Sequence, residues 1–258
     1  MEQDVSERGV PTDEGWLRGR RVWTVTAGVD VVSGLAAGFL DHGARVAQLS
    51  DDADTLAAAP EGVVRVSGTF DSQPAADAGV AALAEAAGPP DLVVIGMLPR
   101  AAMRLAPLSA LSEGEWRLGA CDGLRALAYV LRALGPRIKD RGVAVVVVGP
   151  SLSLVGCPQL VALTTLLEGQ RGMVKSVARQ WGGADVTLNW IAAAPRALSP
   201  LFDAAPLAAK PDAVSVALGR PLDPRREIAP VIGFLGSPAG RAITGASLTL
   251  DGGEWMVP

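Results

Sequence analysis

The sequence predicts an α/β protein built as a single doubly wound parallel sheet with helices on both faces. Three observations lead there. Several short runs are apolar throughout, as in VAVVVVG (143–149) and DLVVIGM (91–97), the pattern of strands covered on both sides. These runs alternate with helix-length apolar segments, which implies parallel strands joined by right-handed crossovers. The 258 residues, 49% hydrophobic, suffice for one large core. No linker or internal repeat divides the chain.

Residues 1–18 lack apolar periodicity and read as an N-terminal arm, leaving 19–258 as the single domain. RRVWTVTA (20–27) has the β-branched and aromatic content of a strand and leads through small residues into an apolar helix over 31–42. ARVAQLS (44–50) and GVVRVSG (62–68) are the next strands, followed by the alanine-rich helix PAADAGVAALAEAAG (74–88). DLVVIGM is a buried strand with a glycine near its end, and a long helical region runs from about Ser112 to Leu134. GVAVVVVGP (142–150), a helix from about 159 to 181 and the strand DVTLNWIAA (185–193) complete the alternation. The segment 195–225, rich in Pro, Ala and Arg, lies beyond the strand ends, where sheets of this Rossmann type close over a ligand.

Composition excludes several function classes. A formal charge of -4 and the lack of any Lys/Arg-rich run give no field for a phosphate backbone, so nucleic acid is not expected as a partner. The acidic start MEQDVSERGVPTDEG is unlike a signal peptide, and the apolar runs are too short to span a bilayer. A cytoplasmic protein without membrane association is expected. Two cysteines, Cys121 and Cys157, with one histidine, His42, make neither a disulfide framework nor a metal site. The Ala, Gly, Val and Arg content is that of a GC-rich bacterial genome.

From Gly19 to Gly253, about nine tenths of the chain, the sequence resembles the short-chain dehydrogenase/reductase (SDR) family. The clearest likeness is FLGSPAGRAITGASLTLDGG (234–253), which is similar to the family's C-terminal pattern almost position for position. GPPDLVVIG (88–96), VVGPSLSLVGCPQL (147–160), DVTLNWIA (185–192) with Asn189, and DPRREIAPVIGFL (223–235) support it. The resemblance implies a Rossmann fold and, in intact members, NAD(P)-dependent oxidation of an alcohol.

The motifs that carry this chemistry in the family are missing. The family's phosphate turn, T-G-x-x-x-G-x-G, lets a backbone approach a pyrophosphate seated on a helix N-terminus. Counted from the strand end, its glycines fall on Ala27, Val31 and Ser33; counted back from Gly43, on Thr26, Asp30 and Val32. A third register keeps Gly28 and Gly34 but puts β-branched Val32 in the middle. Asp30 would also bring negative charge near the phosphates. The turn is expected to persist without its ligand, the alternative being an atypical turn that still binds NAD(P) weakly.

Aligned on Gly156 and Pro158, the family's Tyr-x-x-x-Lys pair falls on Leu163 and Leu167, and neither leucine can transfer a proton. No other register restores it. The one tyrosine, Tyr129, has Ala133 four residues on, and Lys139, Lys175 and Lys210 follow Gly135, Arg171 and Pro206 at that spacing. The catalytic serine falls on Pro150 or Ser151, the family's NNAG on IGML (95–98), its relay asparagine near Asp122 or Gly123, and its PG pair on Ala193 and Ala194. No catalytic, cofactor-binding or metal-binding residue is therefore assigned, and no cofactor.

Polar residues near the expected cleft are Ser151, Ser153, Cys157, Thr164 and Glu168. Thr164 and Glu168, at i and i+4, are a conceivable shifted site, against the plainer reading of Glu168 as paired with Arg171. Cys157 has no base nearby, because His42 belongs to the far helix-to-strand turn. The six tryptophans, Trp16, Trp23, Trp116, Trp181, Trp190 and Trp255, are dispersed and read as packing residues, and EWMVP offers an apolar chain end. The first functional reading is a non-catalytic subunit that stabilises or regulates a catalytically active SDR in a hetero-oligomer. That partner would act on a hydroxyacyl-CoA or similar alcohol. The alternative is an enzyme using a cleft lined by Leu163 and Leu167 for a cofactor-independent cyclisation or dehydration.

Overall fold

The structure is a computed structural model that describes residues 17–203 and 216–256. Among them a seven-stranded sheet runs in the order β3-β2-β1-β4-β5-β6-β7, every pair parallel. The strands are β1 (Arg21–Gly28), β2 (Arg45–Ser50), β3 (Val64–Ser67), β4 (Leu92–Leu98), β5 (Ala144–Pro150), β6 (Thr187–Ala193) and β7 (Ser247–Leu250). β4, β5 and β6 are buried at every residue, as their unbroken apolar sequences require when helices cover both sides.

Helices α1 (Ser33–Asp41), α2 (Ala53–Ala58), α3 (Gln73–Ala87), α4 (Glu113–Trp116), α5 (Asp122–Ile138), α6 (Val161–Trp181), α7 (Pro195–Leu198) and α8 (Ala229–Leu235) connect or follow them. α1 packs with α8 and the turn 224–228, while α3, α5 and α6 form the other group. α3 starts where Ser72 Oγ accepts the Ala75 N–H at 3.4 Å and stops at Gly88, whose φ of 70° ends the helical path. α4 carries a reciprocal cap between Ser112 and Glu115. The long helical region expected from Ser112 is three pieces, because a π-helical turn over Arg117–Cys121 separates α4 from α5.

The doubly wound sheet is as the sequence predicts. Residues 1–16 of the expected arm lie outside the described residues; Leu17 is buried against Gly233 of α8. No helix among the described residues is long and apolar enough to cross a membrane. The strand order turns back between β1 and β4, so the crevice above their C-terminal ends is where this architecture places ligands.

Candidate functional site

At the crevice, β1 ends on Gly28, whose φ of 79° and contact with the Leu98 carbonyl leave no room for a side chain. The Val29 N–H donates to that same carbonyl at 2.8 Å, tying the turn to β4. Val29, Val31 and Val32 are then buried, and the Val31 and Val32 methyl groups stand where a Cβ on Gly96 would be. Asp30 folds back. Its Oδ1 accepts the backbone N–H groups of both Val32 and Ser33, each at 3.0 Å. These are donors that open α1, and the helix N-terminus thus carries a carboxylate from its own chain.

Beside the turn, Asp51 accepts the Gly28 N–H at 3.1 Å. Burial of its carboxyl end pushes its pKa up, against the lowering effect of that N–H. Asp52 is held below the usual carboxylate range, first by the Thr55 hydroxyl at 2.7 Å and then by Arg100 at 3.1 Å.

Further along the crevice, Ser151 follows β5 and is fully buried, its hydroxyl without a partner. Leu163 and Leu167 of α6 are sealed in the core, and Leu167 packs against Gly149, where an added Cβ would lie 2.7 Å from it. Gly123 at the start of α5 is covered by Leu166 and Pro99, each 2.8 Å from a would-be Cβ. The buried Gln170 donates through Nε2 to the Met97 carbonyl at 2.7 Å. Thr164 spends its hydroxyl on the Leu160 and Val161 carbonyls of its own helix, and Glu168 pairs with Arg171. Both side chains thus have partners on their own helix. His42 ends α1, at the opposite end of the helix from the crevice. Cys121 and Cys157 are half-buried thiols. Among the described residues no group of three or more His, Cys, Asp or Glu side chains could hold a metal ion.

One cavity, of about 410 Å3, opens beside the crevice between the turn 152–159, residues 194–202, the segment 216–222 and the tail 251–255. Leu163 and Leu167 are not on its wall. Trp255 is, whereas Trp23 and Trp190 belong to the core.

Comparison with known proteins places this geometry. A family model described as Enoyl-(Acyl carrier protein) reductase matches residues 32–254. The D-threitol dehydrogenase of Mycolicibacterium smegmatis is 30% identical over 245 residues, covering 92% of this chain and 93% of that protein. The chain belongs to the short-chain dehydrogenase/reductase family. A 12alpha-hydroxysteroid dehydrogenase from a Clostridium species is 29% identical over 156 residues, which span 60% of its length. Among solved structures, a 3-ketoacyl-(acyl-carrier-protein) reductase from Brucella melitensis complexed with NADH superposes with a TM-score of 0.75 at 22% identity, covering 92% of this chain and 98% of that one. A short-chain oxidoreductase from Pseudomonas aeruginosa PAO1, described as containing an atypical catalytic center, gives the same TM-score and coverage at 21% identity. At such identity these two structures speak for the fold.

SDR membership makes a nicotinamide dinucleotide the group to test against the crevice. The turn after β1 does not fit its pyrophosphate. A phosphate on the α1 N-terminus would have to displace the Asp30 carboxylate from the Val32 and Ser33 N–H groups and share the space with its charge. The valine side chains packed over Gly96 take up the room a close backbone approach needs. Sequence reasoning identified Asp30 as a repulsive charge and missed that its carboxylate accepts the Val32 and Ser33 N–H groups at the start of α1. An Asp two residues before an N-cap position was the available signal. It also passed over Asp51 and Glu254, whose surroundings come from segments distant in sequence.

Proposed function

We propose that this SDR-fold protein is a non-catalytic subunit that binds a catalytically intact member of its family in a hetero-oligomer and stabilises or regulates it. The observation that supports the reading is the Asp30 carboxylate, which accepts the Val32 and Ser33 N–H groups where α1 begins, the kind of helix end that otherwise receives a phosphate. The hydrocarbon of Leu163 and Leu167 supports it, since neither side chain can donate or accept a proton. The partner would be an NAD(P)-dependent dehydrogenase of an alcohol, such as a hydroxyacyl thioester.

A contact surface is available for such a partner. The helices α5 and α6 form an open groove whose floor includes Leu131, Met173, Val177 and the ring of Trp181. Covering the half-buried Met173, Val177 and Trp181 side chains would remove further apolar surface from water. The alternative of a cofactor-free reaction in a leucine-lined cleft has less support, because the two leucines are buried and are not among the residues lining the cavity.

The test is expression of the gene together with its genomic neighbours, followed by purification through this chain. A dehydrogenase of the same family should co-purify in fixed stoichiometry, and the lone chain should give a flat titration with NAD(H) and NADP(H). Recovery as a homomer with no dehydrogenase attached, or saturable coenzyme binding by the lone chain, would overturn the proposal.

A further inference from the structure

The two long helices carry a charge opposite to that of the whole chain. The formal net charge is -4. Yet α5 holds Arg125, Arg132 and Arg137 against the single acid Asp122, and α6 holds Arg171, Lys175 and Arg179 against the single acid Glu168. Both acids are already spent, Asp122 on Arg125 at 3.2 Å and Glu168 on Arg171. Arg137 turns back to the Ala133 carbonyl at 2.8 Å. Arg132, and Lys139 just past the end of α5, are exposed, and their side chains make no hydrogen bond or ion pair with another described residue.

These two cations stand on the wall of the apolar groove between the helices, and no acid is among its lining residues. Asp140 and Asp185, the acids nearest in sequence, are off the wall, and Asp185 is paired with Arg241. Along α5 the wall runs from Ala128 to Lys139, about 16 Å at the rise of a helix, or three turns. Ala128 and Gly135 keep that side low; a Cβ on Gly135 would lie 3.3 Å from the Trp181 ring, so the ring rests close on the α5 backbone. A trough of this length with a hydrocarbon floor suits the ridge of side chains on another helix. Arg132 and Lys139 are seven residues apart, about 10.5 Å along the axis, the interval that separates acids at i and i+7 of a helix laid beside them.

A second copy of this chain is the wrong occupant. A two-fold interface puts the same patch on both sides, so self-pairing would set Arg132 and Lys139 of two copies around a groove that has no acid on its wall. Like charges brought together in this way suppress a partner, and opposite ones select it.

We propose that the groove between α5 and α6 receives an acidic amphipathic helix of the partner subunit, its apolar stripe on Leu131, Met173, Val177 and Trp181 and its carboxylates against Arg132 and Lys139. The inference rests on the subunit reading and deepens it, because the charge of this face selects an unlike partner and repels the chain's own copy.

Calorimetric titration of the full chain tests the groove with two synthetic helices of about 21 residues, three heptads each. They share one leucine face and carry either glutamate or lysine at positions seven apart. Saturable binding of the glutamate helix is expected, about tenfold or more tighter than the lysine helix and weakened severalfold between about 0.05 and 0.5 M salt. The double variant Arg132→Glu, Lys139→Glu should reverse the preference and keep the wild-type melting temperature, since both side chains are exposed. The same variant should fail to retain the dehydrogenase that co-purifies with the wild-type chain. Binding of neither helix, equal affinity for both, a preference untouched by the charge reversal, or hydrogen-exchange protection of 173–181 that grows with the concentration of the lone chain would overturn the inference. A dehydrogenase that stays bound to the variant also overturns it and leaves the subunit reading in place. A chain that selects the glutamate helix and brings no dehydrogenase with it sinks the subunit reading and leaves the chemistry of the groove in place.

Discussion

Replacing Asp30 with alanine removes one carboxylate oxygen that two backbone N–H groups share at 3.0 Å. Loss of an N-terminal cap costs about 1 kcal/mol, within a range of roughly 0.5–2. Losing a negative charge at a helix N-terminus adds about 0.3–1 kcal/mol. Together these set an expected destabilisation of about 1–2 kcal/mol. For a domain of this size, each kcal/mol lowers the melting temperature by about 2–4 °C, so Asp30→Ala should melt roughly 2–8 °C below the wild type. Asp30→Asn keeps an accepting oxygen and loses only the charge, so it should fall between the two. The charge component should shrink in high salt, while the hydrogen-bond component should not. Scanning calorimetry at two ionic strengths, with parallel titrations of NADH and NADPH, gives all these quantities. The titrations should stay flat for both variants, because the valines over Gly96 remain. An Asp30→Ala protein as stable as wild type, or wild-type protein that binds a dinucleotide at micromolar concentration, would refute the argument.

The remaining predictions concern packing and charge. Leu167→Ala should lower unfolding free energy by about 2–5 kcal/mol in urea melts, as expected for a sealed core leucine, and a loss typical of a surface site would count against its placement. Gly38→Ala should cost about 1–3 kcal/mol, because the new methyl group would meet the Arg225 carbonyl and the Ala229 side chain where α1 crosses α8; thermal melts report it directly. Glu227 is held down to about 2, first by the Arg220 guanidinium and then by the Asp223 N–H. Its contribution to stability should therefore be complete above the ordinary value of 4.5 and fade as the pH falls toward about 2. Wild type and Glu227→Gln should differ by a constant melting-temperature gap above about pH 5.5, a gap that closes on acidification through that window.

Much of the fold was legible because burial on both faces forces an unbroken apolar strand, and VAVVVVG has no other comfortable place in a protein of this size. The helix from 112 was read as one region because nothing in the residue types marks Arg117–Cys121 for a π turn, which inserts an extra residue into an otherwise helical path. The absent Tyr-x-x-x-Lys was visible by elimination, because one tyrosine and three lysines leave few registers to try. Asp30 was legible as a charge and not as a cap, since that role depends on the direction in which the chain leaves Gly28. The cavity was beyond reach for a different reason. Leu152, Leu222 and Glu254 meet only when three chain segments far apart in sequence converge, and no local spacing announces that.

The tripeptide Asp30, Val31 and Val32 also bears on descent. Removing Asp30 alone leaves backbone donors bare, and trimming either valine alone leaves a void over Gly96. Each single step toward an open turn therefore passes through a less stable protein, and several must occur together before a phosphate gains a seat.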